Sequence, residues 1–193
     1  MELMEQVLGQ NGIMIWKKAN GIDDSPVEPY SERKSLSTER TFDQDTIDVK
    51  MLKGLLIGMT EKLAFQLRSE DQLTACVTVK IRYSDFNTHT MQAKIPYTSL
   101  DHILIQRVLE LFEKLYQKRM LIRLVGVRFS HLIQGGYQYN LFDDCTEQVQ
   151  LYQVMDNLRK RFGNDAVVRA AGMGIRHNDF NPFKGGRQDL VRK

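Results

Sequence analysis

The sequence predicts an α+β domain: a four-stranded, mostly antiparallel sheet with two helices on one face, in the order β-α-β-β-α-β. Three observations predict it. Apolar residues recur every third or fourth position in two stretches, from Leu52 to Leu67 and from Leu104 to Leu115, the spacing of one helical stripe. Residues 73–83 and 91–96 instead alternate apolar with polar side chains, the period of a half-buried strand. These elements alternate along the chain with two further strand candidates, so two layers can close and leave the second sheet face bare.

The elements follow in order. Residues 1–20 read as one or two short helical pieces, broken near Gly9 to Gly12. Residues 21–33 hold turn formers and two prolines and read as a linker. Residues 34–43 are a candidate strand, and Asp45 or Thr46 can start the helix whose stripe is Leu52, Leu56, Met59, Leu63 and Leu67. Ser69-Glu70-Asp71 ends it. In residues 73–83, Val77, Val79 and Ile81 alternate with Thr78, Lys80 and Arg82; in 91–96, Met91, Ala93 and Ile95 alternate with Gln92 and Lys94. The turn at 84–89 joins them as a hairpin. Thr98 and Asp101 have the spacing of a capping box before a second helix, with stripe Leu104, Val108, Leu111 and Leu115. Residues 120–132 form the last strand. Residues 133–146 read as a loop, and 147–171 as a helical extension with stripe Leu151, Met155, Leu158 and Phe162. The Gly-, Asn- and Pro-bearing end, 172–193, reads as a basic arm without regular structure.

The bulk numbers agree with an ordinary globular chain. Of 193 residues, 42% are apolar and 26% charged, and the net charge of +3 permits nucleic-acid binding without arguing for it. No apolar run approaches the roughly 20 residues of a membrane helix. Cys76 and Cys145 lack metal-ligand spacing, and with no secretory leader in view both read as reduced thiols of a cytoplasmic protein, Cys76 as a small buried apolar residue. The opening residues read as the middle of a domain.

Function is carried by position rather than by total charge. Lys80 and Arg82 share one face of their strand, and Lys94 with Gln92 can share it on the neighbour, with Thr78 and Thr90 adding hydroxyls. Lys34 and Arg40, six apart, also face the same way in a regular strand. Arg123 and Arg128, five apart, do not, unless Gly126 permits a bulge that realigns them. Such a basic sheet face suits a phosphate backbone. It also suits plain solvation, or another protein held by a stand-alone interaction module. No aromatic stripe is interleaved for base stacking. Tyr137, Tyr139, Leu141 and Phe142 crowd a loop, where they can pack internally or anchor in a partner's groove. No catalytic set is evident. His89, His102, His131 and His177 are scattered, Asp23-Asp24 and Asp143-Asp144 sit in linker-like sequence, and no phosphate loop or metal-ligand spacing occurs.

Several stretches together resemble the Y-family DNA polymerases of the DinB/UmuC type. Gly12 opens an entry into a helix, Trp16 holds an aromatic place, and Asn20-Gly21 with Asp23 matches A-x-G-x-D, with Asn20 where arginine is common. Pro26-Val27 follows, then Lys34-Ser35, Glu39, Thr41 and Phe42 of K-S-x-x-x-E-x-T-F. Residues 122–132 are similar to the family's last little-finger strand, with Gly126, Val127 and Ser130 in place. The resemblance implies a thumb-domain remnant at 1–20, a linker at 21–33, and a little-finger DNA-binding domain at 34–132. It implies that the open sheet face holds primer–template duplex DNA through its backbone, with Lys34, Ser35, Arg40, Lys80, Arg82, Lys94, Arg123 and Arg128 as the contacts. It further implies a clamp-binding peptide at Gln138, Tyr139, Asn140, Leu141 and Phe142, within 133–146, for the bacterial sliding clamp (the DNA polymerase III beta subunit). Tyr139 replaces a common leucine there. Mg2+ belongs to the palm domain of such enzymes, which nothing in this sequence matches, so polymerase activity is not expected of these residues, and no membrane partner is expected.

Overall fold

A computed structural model describes residues 2–27, 32–135, 146–164 and 166–172. The chain divides into two units, Met1–Glu32 and Arg33–Lys193.

In the first unit, α1 (Glu2–Leu8) and α2 (Gln10–Ala19) meet at Gly9, whose φ of 59° suits a residue without a side chain. The break falls at Gly9 alone. Gly12 lies inside α2, where an added Cβ would collide with the Met4 carbonyl, so glycine there lets the two helices touch. The Asn20-Gly21 pair is a helix stop. Gly21 takes φ 74°, its N–H bonds to Lys18 O at 3.0 Å, and the Ile22 N–H bonds to Lys17 O at 2.9 Å, the paired bonds of a Schellman motif.

The second unit is the α+β fold that the periodicity predicts. Its elements are β1 (Ser35–Thr46), α3 (Val49–Ser69), β2 (Gln72–Tyr83), β3 (Thr88–Thr98), α4 (Asp101–Leu115), β4 (Ile122–Gln134) and α5 (Thr146–Phe162), with a short 3₁₀ turn at Ala170–Gly172. The strands lie in the order β1-β4-β2-β3, every pair antiparallel. Both predicted helical stripes point inward. Leu52, Leu56, Met59, Leu63 and Leu67 of α3, with Leu104, Val108 and Leu111 of α4, bury against Val77, Val79, Ile81, Val125, Val127 and Phe129 of the two central strands. Phe112, outside the predicted stripe, is fully buried beside them.

Several boundaries differ from expectation, and β4 lies at Ile122–Gln134 rather than 120–132. β1 runs on to Thr46, so the cap of α3 is Asp48, whose carboxylate accepts from the Met51 N–H at 3.0 Å. The hairpin strand β3 is longer than predicted and leaves a tighter turn at 84–87. The N-cap position of α4 is Leu100 rather than Thr98; the Thr98 hydroxyl accepts from the Leu100 N–H at 3.2 Å, and the Asp101 carboxylate accepts from Arg68 at 2.6 Å.

The extension α5 overturns the direction of its predicted stripe. Leu151 is 55% exposed, Leu158 38% and Phe162 63%, whereas Tyr152, Asp156 and Arg159 are buried. Tyr152, Asp156 and Arg159 recur at four- and three-residue spacing, so they share a helix face. That face meets polar groups on α3 and α4 rather than an open apolar core. Arg68 forks onto Asp156 at 2.6 and 3.0 Å, donates to the Ser99 carbonyl and to Asp101 at 2.6 Å each, and lies 5.1 Å over the Tyr152 ring. Glu61 lies 3.8 Å from Arg159 and 2.8 Å from Arg169, the latter contact without the alignment of a hydrogen bond. The Tyr152 hydroxyl is 3.1 Å from His102 Nδ1 and accepts from the His102 N–H at 3.2 Å. Loss of hydration raises the Asp101 and Glu61 carboxyls above their ordinary range despite the attraction of the nearby arginines.

Candidate nucleic-acid interface

Register decides which side chains share the face turned away from α3 and α4. Residues directly opposite in adjacent strands point to the same side. Four in-register rows cross the sheet: Ser35, Ser130, Cys76 and Lys94; Ser37, Arg128, Thr78 and Gln92; Glu39, Gly126, Lys80 and Thr90; Thr41, Leu124, Arg82 and Thr88. The alternate positions, such as Val77, Val79, Val125 and Val127, are the core. Hence the bare face carries hydroxyls and four cations, with Glu39 the lone acid in these rows.

The cations differ in their surroundings. Arg128 and Lys94 are exposed and have no ion-pair partner among the described residues. Arg82 donates Nε–H to the Thr88 hydroxyl at 2.8 Å, which aims its guanidinium along the sheet. Lys80 is different: its ammonium donates to both Glu39 carboxylate oxygens, at 2.9 and 3.0 Å. Glu39 is on β1 and Lys80 on β2, and β4 lies between them. The pair bridges the intervening strand because the residue there is Gly126; a Cβ at Gly126 would stand 2.7 Å from Glu39 Cγ. Cys76 is 2% exposed, as a small buried residue should be, although it belongs to this face.

The remaining predicted contacts are scattered. Ser35 opens the first row. Lys34 is exposed but precedes β1, so strand alternation does not align it with Arg40. Arg40 is opposite Val125, which places it on the helix-covered side and corrects its assignment to the basic face. Arg123 and Arg128 are not realigned at Gly126, through which the ladder runs without interruption. The irregularity falls at Arg123, because Arg82 pairs with Leu124 and Tyr83 with Ile122. Extruded from the ladder, Arg123 lies 4.8 Å over the Phe86 ring and 3.7 Å from Asp45. Ser37, Thr88 and Ser130 join the face without having been predicted; their parity with Ser35, Lys94 and Arg128 on their own strands was the available signal. The peptide Gln138–Phe142 and the basic arm beyond Gly172 lie outside the described residues. Among the described residues, no group of three or more His, Cys, Asp or Glu side chains could hold a metal ion. None of their helices is long and apolar enough to cross a membrane.

The sequence has counterparts among known proteins. The profile of the impB/mucB/samB family C-terminal domain matches residues 33–141. The chain belongs to this family. DNA polymerase IV of Desulfatibacillum aliphaticivorans is 31% identical over 179 residues, covering 88% of this chain and 44% of that relative. DNA polymerase IV of Clostridium acetobutylicum is 29% identical over 175 residues, with the same two shares, 88% and 44%. DNA polymerase IV 2 of Bacillus subtilis is 31% identical over 182 residues, covering 90% of the chain and 44% of the relative. The family's region is its C-terminal one, in agreement with the Y-family resemblance, and the chain spans less than half the length of these relatives. Two marks of that resemblance acquire physical meanings here: Gly21 is a helix stop, and Glu39 with Gly126 forms the bridge to Lys80.

Proposed function

We propose that the open sheet face lies along the backbone of primer–template duplex DNA. In this reading the chain is the non-catalytic, DNA-holding and clamp-binding part of an error-prone, lesion-bypassing DNA polymerase of the cytoplasm. One observation carries it: Lys94, Arg128 and Arg82 stand on one bare face, each without an ion-pair partner among the described residues, amid hydroxyls at Ser35, Ser37, Thr78, Thr88 and Ser130. Guanidinium, ammonium and hydroxyl donors suit phosphate oxygens, and these rows contain no aromatic ring to stack a base. Binding of this kind is weakly sequence-specific and falls with salt. Lys34, just before β1, extends the same charge. Residues 1–20 would be the end of a thumb domain, and Leu141 and Phe142 an apolar plug for the sliding clamp, with Gln138 supplying a hydrogen bond.

Amine footprinting tests the face directly. In the presence of a primer–template duplex at low salt, Lys94 is expected to be protected from acetylation, while Lys50 and Lys114, exposed on α3 and α4, react as in the free protein. Equal protection of all three, or of none, would remove the sheet face from the interface.

A further inference from the structure

The Glu39–Lys80 bridge stands out on a face whose other three cations, Lys94, Arg128 and Arg82, have no ion-pair partner among the described residues. It spans two strand spacings, roughly 9–10 Å of sheet, and can do so because the position between them is Gly126. Each side chain is partly open to solvent, 43% for Glu39 and 29% for Lys80. A pair this exposed is weak in water and yields readily to a competing anion. The carboxylate occupies the shallowest point of the basic face, where the missing side chain would let a nucleic-acid backbone come nearest to the strands.

We propose that Glu39 is a resident competitor for phosphate at Lys80: a DNA phosphate engages Lys80 over Gly126 by displacing the Glu39 carboxylate. This rests on the reading of the sheet as a duplex-binding face. It assigns Glu39 the role of setting how tightly the face grips DNA. Arg128, Lys94 and Arg82 hold phosphates unopposed, whereas Lys80 contributes the difference between phosphate and carboxylate. A grip tempered at its centre suits a domain that must let the duplex slide as the primer grows.

The test is a duplex titration by fluorescence anisotropy on the full chain, at several salt concentrations, for wild type, Glu39→Gln, Lys80→Ala and the double variant. Glutamine keeps the shape of residue 39 without its charge, and an unchanged thermal midpoint confirms an intact fold. Releasing an exposed pair is expected to tighten binding roughly two- to fivefold. The salt dependence should steepen by up to about one unit, because one more ammonium is free to neutralise phosphate. Lys80→Ala should weaken binding more in the Glu39→Gln background than in wild type. Unchanged or weaker binding by Glu39→Gln would overturn the inference, the weaker result meaning that Glu39 positions Lys80 rather than competes for it. If wild type itself fails to bind duplex at low salt, it is the DNA reading that falls.

Discussion

Replacing Arg68 by alanine probes what holds the helical extension to the domain. The side chain is 13% exposed; it makes the forked contact to Asp156, the bonds to Asp101 and the Ser99 carbonyl, and the stack on Tyr152. Its loss strands Asp101, which is fully buried on α4, and removes the main partner of Asp156. Breaking a buried pair from one side costs about 3–5 kcal/mol, largely the penalty of the uncompensated charge. For a chain of this size that corresponds to roughly 6–20 °C in thermal midpoint. The cost should shrink on acidification, since the stranded Asp101, whose carboxyl burial already raises, can then take up a proton. Chemical denaturation gives the free energy, and amide exchange across 146–172 shows whether α5 detaches first. A loss below about 1 kcal/mol at neutral pH, with exchange in α5 unchanged, would refute the claim that this cluster is the latch.

Other predictions address separate parts of the chain. Burial holds the Asp101 and Glu61 carboxyls above their ordinary values of 3.8 and 4.5. A carboxyl with a raised folded-state value adds stability below its ordinary value, and that share is lost as pH rises through the raised one. Wild type should therefore lose this share on going from about pH 4 upward, and an Asp101→Asn/Glu61→Gln variant should gain stability relative to wild type over the same range; a variant that falls further behind wild type as pH rises would contradict it. Gly12→Ala should force α1 from α2 at a cost of about 1–3 kcal/mol, read as faster amide exchange in residues 2–8. Leu141→Ala/Phe142→Ala should abolish binding to the bacterial sliding clamp while leaving duplex affinity unchanged; parallel loss of both would show instead that the peptide packs into the domain.

Much of this molecule was legible in the sequence because its core obeys simple periods. The stripe Leu52 to Leu67 and the alternation Val77, Val79, Ile81 each have one burial solution, so the fold class and the order of elements along the chain follow, whereas the placing of β4 between β1 and β2 does not. The open face was legible where two-residue alternation holds, at Lys80, Arg82 and Lys94. It failed where regularity breaks: Arg123 is extruded at a bulge that no residue type announces, and Arg40 points to the covered side because β1 pairs Ser35, not Lys34, with Ser130. The α5 stripe misled for another reason. Leu151 and Leu158 have helical spacing, but which face docks was decided by Arg68, some eighty positions away. Ion pairs between distant segments leave no periodic trace.

If the bare face grips duplex DNA through phosphates, a salt-dependent anisotropy titration of wild type against Arg128→Glu/Lys94→Glu will show it. Both residues are exposed and lie outside the core, so the variant should fold. With Arg128, Lys94 and Arg82 each neutralising a phosphate, a log–log salt slope of roughly −3 is expected for wild type. For the variant the slope should be shallower by about two and the affinity at least about tenfold weaker. Wild-type binding that ignores salt, or a variant that binds as wild type does, would contradict a grip through phosphates.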